Sequence, residues 1–135
     1  MTTMTAFVTA LGNLTVTGVL HTYDGPPTSL NDADLPSMWV QLPQSNEAAL
    51  TLDGVGGWPL LRAQLVIAYQ ASAQGTQAAN WSGTIAMLDA LATTLHSTTP
   101  GQLGRGKVSW SVKPAQVAVA GIEYWAVIAD VEANG

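Results

Sequence analysis

Residues 59 to 70, PLLRAQLVIAYQ, decide how this chain folds. Leu61, Ala63, Leu65, Ile67 and Tyr69 alternate with Arg62, Gln64, Val66, Ala68 and Gln70. That two-residue period belongs to a strand with one packed face and one face at least partly open. Trp58 and Pro59 open it, after the turn DGVGG at Asp53 to Gly57. Downstream, Ala71 to Gly75 is small and polar, Thr76 is a candidate N-cap, and Trp81, Ile85, Leu88, Ala92 and Leu95 recur at three- and four-residue steps. This stripe predicts a long helix of about five turns with those side chains in the core. Pro100 and Gly101 stop it, and Gly101 to Gly106 form a loop carrying Arg105. Two strands close the chain: Val108, Trp110 and Val112 alternate with Lys107, Ser109, Ser111 and Lys113, Pro114 marks a turn or bulge, and Ile122 to Val131 follows Gly121.

Upstream, Met4, Phe7, Val8, Leu11 and Leu14 have the spacing of a short amphipathic helix, stopped by Gly12 and Asn13. Thr15 to Thr22 is rich in β-branched residues and reads as a strand or an extended connection. Met38, Val40 and Leu42 alternate with Trp39 and Gln41 in a strand that Pro43 ends, and Ala48 to Leu52 is a second short strand. Helix, several strands, helix and two strands make one α+β domain over residues 1–135: a mostly antiparallel sheet, the long helix packed on a face, and a short N-terminal helix.

Composition narrows the function. A chain of 135 residues buries about 65 to 70% of its unfolded surface, enough for a core without metal or disulfide. Charged residues are 10% and hydrophobic ones 47%, against a usual quarter charged, so part of the surface is expected to lie under another subunit. The net charge of −5, with Arg62, Arg105, Lys107 and Lys113 as the basic residues, gives little attraction for phosphates. No sequence-specific nucleic-acid binding is expected. Cysteine is absent, which removes thiolate chemistry and disulfide frameworks. Met1 to Leu14 lacks the basic start and unbroken apolar run of a signal peptide, and no stretch is long and apolar enough to span a membrane. The expectation is a soluble protein made in a cytoplasm, with no membrane partner.

Between these elements runs HTYDGPPTSLNDADLPSMWVQLP, His21 to Pro43. Adjacent prolines Pro26 and Pro27, three aspartates and no basic residue read as a stiff polar surface arm at about 21–37. Such an arm is expected to be mobile in a free subunit and ordered by a partner. The arm ending in ADLP (Ala33 to Pro36) before the strand Met38 to Leu42, the strand running into one long helix, and the closing pair VSWSV and AGIEYWAVIADVEA resemble the small tail-completion proteins of long-tailed bacteriophages, above all the tail terminators. The resemblance implies a structural virion protein of the tail, assembled in the host cytoplasm. It implies a hexameric ring that stops tail-tube polymerisation and docks the head. Its partners would be copies of itself, the tail tube protein and a head-completion or connector protein, with no cofactor. Another neck, tail-tube or baseplate component fits the same pattern.

Catalytic signatures do not emerge. His21 and His96 stand far apart in no metal-spaced pair, and Ser82-Gly83 lacks the GxSxG frame. Asp24, Asp32 and Asp34 lack the spacing of a calcium loop and read as turn residues. The glycine runs at Gly54 to Gly57 and Gly101 to Gly106 lack the lysine and hydroxyl of a phosphate loop. A rival reading, a small-molecule-binding or catalytic domain with a pocket between helix and sheet, needs convergent polar groups that the stripe Trp81, Ile85, Leu88 and Leu95 against Leu65, Ile67 and Val108 does not supply. Asp89, Glu123 or His96 lining a deep cavity would revive it.

The tryptophans divide. Trp81 and Trp110 fall on apolar stripes and are expected in the core. Trp39 and Trp125 stand opposite the apolar faces of their strands, and Trp58 borders the glycine turn. They serve either as interface anchors or as the core of a second layer within the subunit. With the arm and the loop arginine, the candidate contact set is Tyr23, Pro26, Pro27, Leu35, Trp39, Trp58, Arg105 and Trp125.

Overall fold

A computed structural model of the chain describes residues 4–30, 33, 35–43, 50–52, 59–71, 81–103 and 107–134. The elements in order are α1 (Met4–Gly12), β1 (His21–Thr22), β2 (Ser37–Gln41), β3 (Leu50–Leu52), β4 (Pro59–Ala71), α2 (Trp81–Ser97), a 3₁₀ turn (Pro100–Leu103), β5 (Lys107–Val119) and β6 (Ile122–Asn134). The strands form a six-stranded sheet in the order β1-β2-β4-β6-β5, with β3 beside β2 on the same edge of β4. Every pair is antiparallel except β1 with β2. The architecture is the α+β fold that the sequence pattern implies.

The alternation in β4 sets both faces. Leu61, Ala63, Leu65 and Ile67 are buried on one face with Val127, Ala129, Val131 and Ala133 of β6. Phe7 and Leu11 of α1, and Leu91 and Leu95 of α2, close over them. Each fully buried side chain of this kind contributes about 1.5 to 3 kcal/mol relative to exposure, so this helical face is the main core. α1 packs on β2 and β4, while α2 packs on β5 and β6. A bulge between Ala68 and Gln70 leaves Tyr69 unpaired in the ladder. The Tyr69 hydroxyl hydrogen-bonds the hydroxyl of Thr84, which is buried in the first turns of α2, and so ties that helix to the sheet.

On the opposite face Trp39, Val66, Ala68, Ala71, Val119, Tyr124, Ala126 and Ile128 form a second core. Tyr23, Leu30 and Leu35 pack on it from the connecting arm. Two backbone bonds hold the arm's entry to β2: the Leu20 N–H donates to the Pro36 carbonyl at 2.9 Å, and the Tyr23 N–H to that of Met38 at 2.8 Å. The described residues of the 21–37 arm therefore form a layer of the subunit, which corrects the reading of the arm as polar surface alone. Tyr23, Leu30 and Leu35 face the sheet, while Asp24, Pro26 and Ala33 stay exposed.

Four further expectations change. Of the strand or extended connection read at Thr15 to Thr22, only His21–Thr22 is strand. Leu42 lies past the end of β2 and is exposed. Pro114 neither turns nor bulges β5, whose pairing with β6 runs unbroken from Lys107 to Val119. In a hairpin closed by the pair Val119 and Ile122, alternate residues turn their backbone groups to the partner strand and to the outer edge. Pro114 falls among the outward ones, where its missing N–H breaks no ladder bond. Finally, the buried stripe of α2 is Thr84, Leu91 and Leu95 with Leu88 half-buried, whereas Trp81 and Ile85 are exposed. Thr76, Asp32, Asp34 and the glycines at 54–57 lie outside the described residues.

The β5–β6 turn yields a stability test. Ala120 and Gly121 both have positive φ, at 54° and 79°, as a two-residue type I′ turn requires. An alanine there carries left-handed strain of about 1 kcal/mol that asparagine tolerates. Ala120→Asn is expected to raise the unfolding free energy by about 1 kcal/mol in urea titration. An unchanged or lowered midpoint would show that the turn carries no such strain.

Candidate functional site

The face of the sheet opposite the helices is apolar toward the β5–β6 turn and polar toward the other end. A hydrogen-bonded line crosses four strands there. The Trp39 indole N–H donates to Gln41 Oε1 at 3.1 Å, Gln41 Nε2 to Gln64 Oε1 at 2.9 Å, and Gln64 Nε2 to Asp130 Oδ1 at 2.8 Å. Lys113 Nζ reaches Asp130 Oδ2 at 3.6 Å on β5. Beside this line Arg62 Nε donates to Glu132 Oε2 at 3.1 Å. The register explains the line, because Gln41 pairs with Gln64, Gln64 with Asp130, and Asp130 with Ser111. Alternation puts all of these side chains on one face.

Arg62, Gln64, Ser109, Ser111, Lys113, Asp130 and Glu132 line an open concavity of about 530 Å³. Its two cations face two carboxylates, so its charges balance. Half-exposed pairs of this kind contribute about 0 to 1 kcal/mol each and mainly fix strand register. The concavity offers hydrogen-bond donors and acceptors to a surface that covers it. His21, His96, Asp89 and Glu123 are exposed and line none of it. No group of three or more histidine, aspartate or glutamate side chains that could hold a metal occurs among the described residues.

The candidate contact residues separate in space. Tyr23 is half-buried and stacks edge-on with His21 at 4.4 Å between ring centroids. Pro26 is exposed and Pro27 half-buried, and both border a groove with Trp39, Gln116 and Val119. Leu35 is half-buried in the second core. Trp39 is 2% exposed, so it is no surface anchor in the subunit: of the two roles open to it, the second packed layer is the one the arm creates. Trp125 is half-buried beside Tyr69, Thr84, Pro114 and Gln116 at the start of α2. Trp58 and Arg105 lie outside the described residues. Trp110 is half-buried against the main core, as its stripe implies.

Residues outside that set carry the exposed apolar surface. Trp81 is 64% exposed, Ile85 40%, Leu20 68%, and Leu42 and Ile122 about half. Trp81 and Ile85 lie one turn apart on the same flank of α2. The signal that would have found them is the competing phase of the helix, in which Leu88, Leu91 and Leu95 take the core and Trp81 rotates out. No protein-family model matches the chain, and no curated protein matches it either.

Proposed function

We propose that this protein is a structural, non-enzymatic virion component: a tail-terminator-like subunit that closes into a ring, hexameric by the resemblance, on the end of a phage tail tube. The observation that carries this reading is the exposed Trp81 and Ile85 flank on a chain with only 10% charged residues. Large exposed aromatics on a charge-poor surface are anchors for subunit contacts. A ring requires head-to-tail contacts between two different faces of the same subunit. Leu20 and Leu42 supply exposed apolar area on elements other than α2. In this role the ring meets the tail tube on one side and a head-completion or connector protein on the other, in the tail of the virion.

The test is mass by light scattering over a concentration series, with and without the tail tube protein. The expected result is a single closed oligomer that persists in high salt, because apolar contacts are not screened. A strict monomer under all of these conditions would overturn the ring. Terminator activity is separable from other neck, tail-tube or baseplate roles, since only a terminator added to polymerising tail tube protein fixes the length of the tubes.

A further inference from the structure

β5 is an edge strand of 13 residues. Counting back from the closing pair Val119 and Ile122, Val108, Trp110 and Val112 turn their N–H and C=O groups outward. No backbone bond to these outward groups is made by another described residue. Pro114 also falls outward but has no N–H to offer, so a strand laid along this edge meets an unbroken row of donors and acceptors only as far as Val112. The edge open to pairing is therefore Lys107 to Lys113.

That edge reads KVSWSVK, the same in both directions about Trp110. Two copies of a strand related by a two-fold axis run antiparallel, and if residue i meets residue j then j meets i. With the axis at Trp110, Val108 lies opposite Val112, Ser109 opposite Ser111, and Trp110 opposite itself. Val108, Trp110 and Val112 all point their backbone groups outward, so each falls in a hydrogen-bonded pair with its counterpart. Their side chains lie half-buried on the helix face of the sheet, and pairing sets these valines and tryptophans against their equals, the kind of cross-strand contact that stabilises a sheet. The serines, exposed on the other face, meet as hydroxyl pairs.

Length points to the same occupant. β1, which ends the opposite side of the sheet, has two residues, too few to match the stretch from Lys107 to Lys113. We infer that β5 pairs with β5 of a second copy of this chain, antiparallel and centred on Trp110, so that two sheets become one. A two-fold contact closes at two subunits. It goes beyond the ring reading and neither makes nor requires the head-to-tail contacts of a ring. The pairing carries one repulsion, which gives the test its sign: Lys107 falls opposite Lys113 at both ends, and like charges directly opposite weaken a sheet. Both lysines are exposed, so salt screens this repulsion.

Sedimentation equilibrium of the purified full chain tests this. Wild type should dimerise about threefold more tightly in high salt than in low salt. Lys107→Glu turns both lysine pairs into glutamate–lysine pairs and should tighten the dimer about tenfold in low salt, and adding Lys113→Glu restores like charges and should cancel that gain. Val112→Pro removes an outward N–H as Pro114 does, leaving the ladder with β6 intact, and should weaken the dimer about thirtyfold with an unchanged far-UV circular dichroism spectrum. Lys107→Glu chains that pair no more tightly than wild type, a gain that Lys113→Glu does not cancel, or a folded Val112→Pro chain that dimerises as wild type would each overturn the contact. So would a wild-type chain with no dimer in high salt. Rings that form without the dimer would overturn this contact and leave the ring reading standing.

Discussion

Trp39→Ala is expected to lower the unfolding free energy of the monomer by about 3 to 5 kcal/mol, the usual result of removing a buried aromatic. Trp39 is 2% exposed in the second core, against Val66, Ala68, Tyr124 and Ile128. Its indole N–H also donates to Gln41, at the head of the amide line across the sheet. The substitution thus opens a cavity and removes a partner from a half-buried amide. Trp81→Ala, by contrast, should shift monomer stability by less than about 1 kcal/mol, since surface positions respond weakly. Equilibrium denaturation in urea at a concentration below assembly separates the two. Equal losses in both variants would mean that Trp81 is covered within the subunit, and the apolar flank proposed as a ring contact would have no basis.

Those two tryptophans mark what could and could not be read from residue order. The alternation at Leu61 to Tyr69 was sufficient for β4 because a central strand imposes its period on its own sequence. The same held for α1, where Phe7 and Leu11 are the buried residues. The phase of α2 was not legible in this way. Two apolar stripes overlap on that helix, sharing Leu88 and Leu95, and the choice between them is made by contacts from distant residues. Tyr69 binds Thr84, and the Thr15 carbonyl accepts from Thr94, so the helix is rotated until Trp81 leaves the core. For Trp39 the obstacle was similar. A strand whose second face carries Trp39 and Gln41 reads as half-exposed, and only the fold of the preceding arm supplies a cover for that face.

The amide line was hidden for a different reason. Gln41, Gln64 and Asp130 are separated by 23 and 66 residues along the chain, and no local pattern relates them. Their alignment follows from the register of β2, β4 and β6, which is set by pairings between strands far apart in the chain. Each residue by itself reads as an ordinary polar position on an open face. The exposed apolar side chains were legible only as a class, through the low charge of the chain, because composition sets how much apolar area meets the surface without stating where.

Replacing Tyr23, Leu30 and Leu35 together by serine is expected to cost the free monomer about 3 to 5 kcal/mol, taking about 1 to 1.5 kcal/mol for each half-buried side chain. These three residues are the apolar side of the arm, packed on a core that includes Trp39, Tyr124 and Ile128. Without them that core faces water, so the loss should come with greater binding of a hydrophobic dye by the native protein. Hydrogen exchange on the wild-type monomer supplies an independent reading. The Tyr23 amide, bonded to the Met38 carbonyl at 2.8 Å, should exchange more slowly than the amides of Asp24 and Gly25, for which β1 provides no ladder partner. If the triple variant keeps its stability within about 0.5 kcal/mol and the Tyr23 amide exchanges freely, the arm is a partner-ordered segment and Trp39 stands exposed in the free subunit. If the loss is found, the arm is the lid of the subunit's own second core, and the proposed ring contact is to be sought on the exposed Trp81–Ile85 flank of α2 instead.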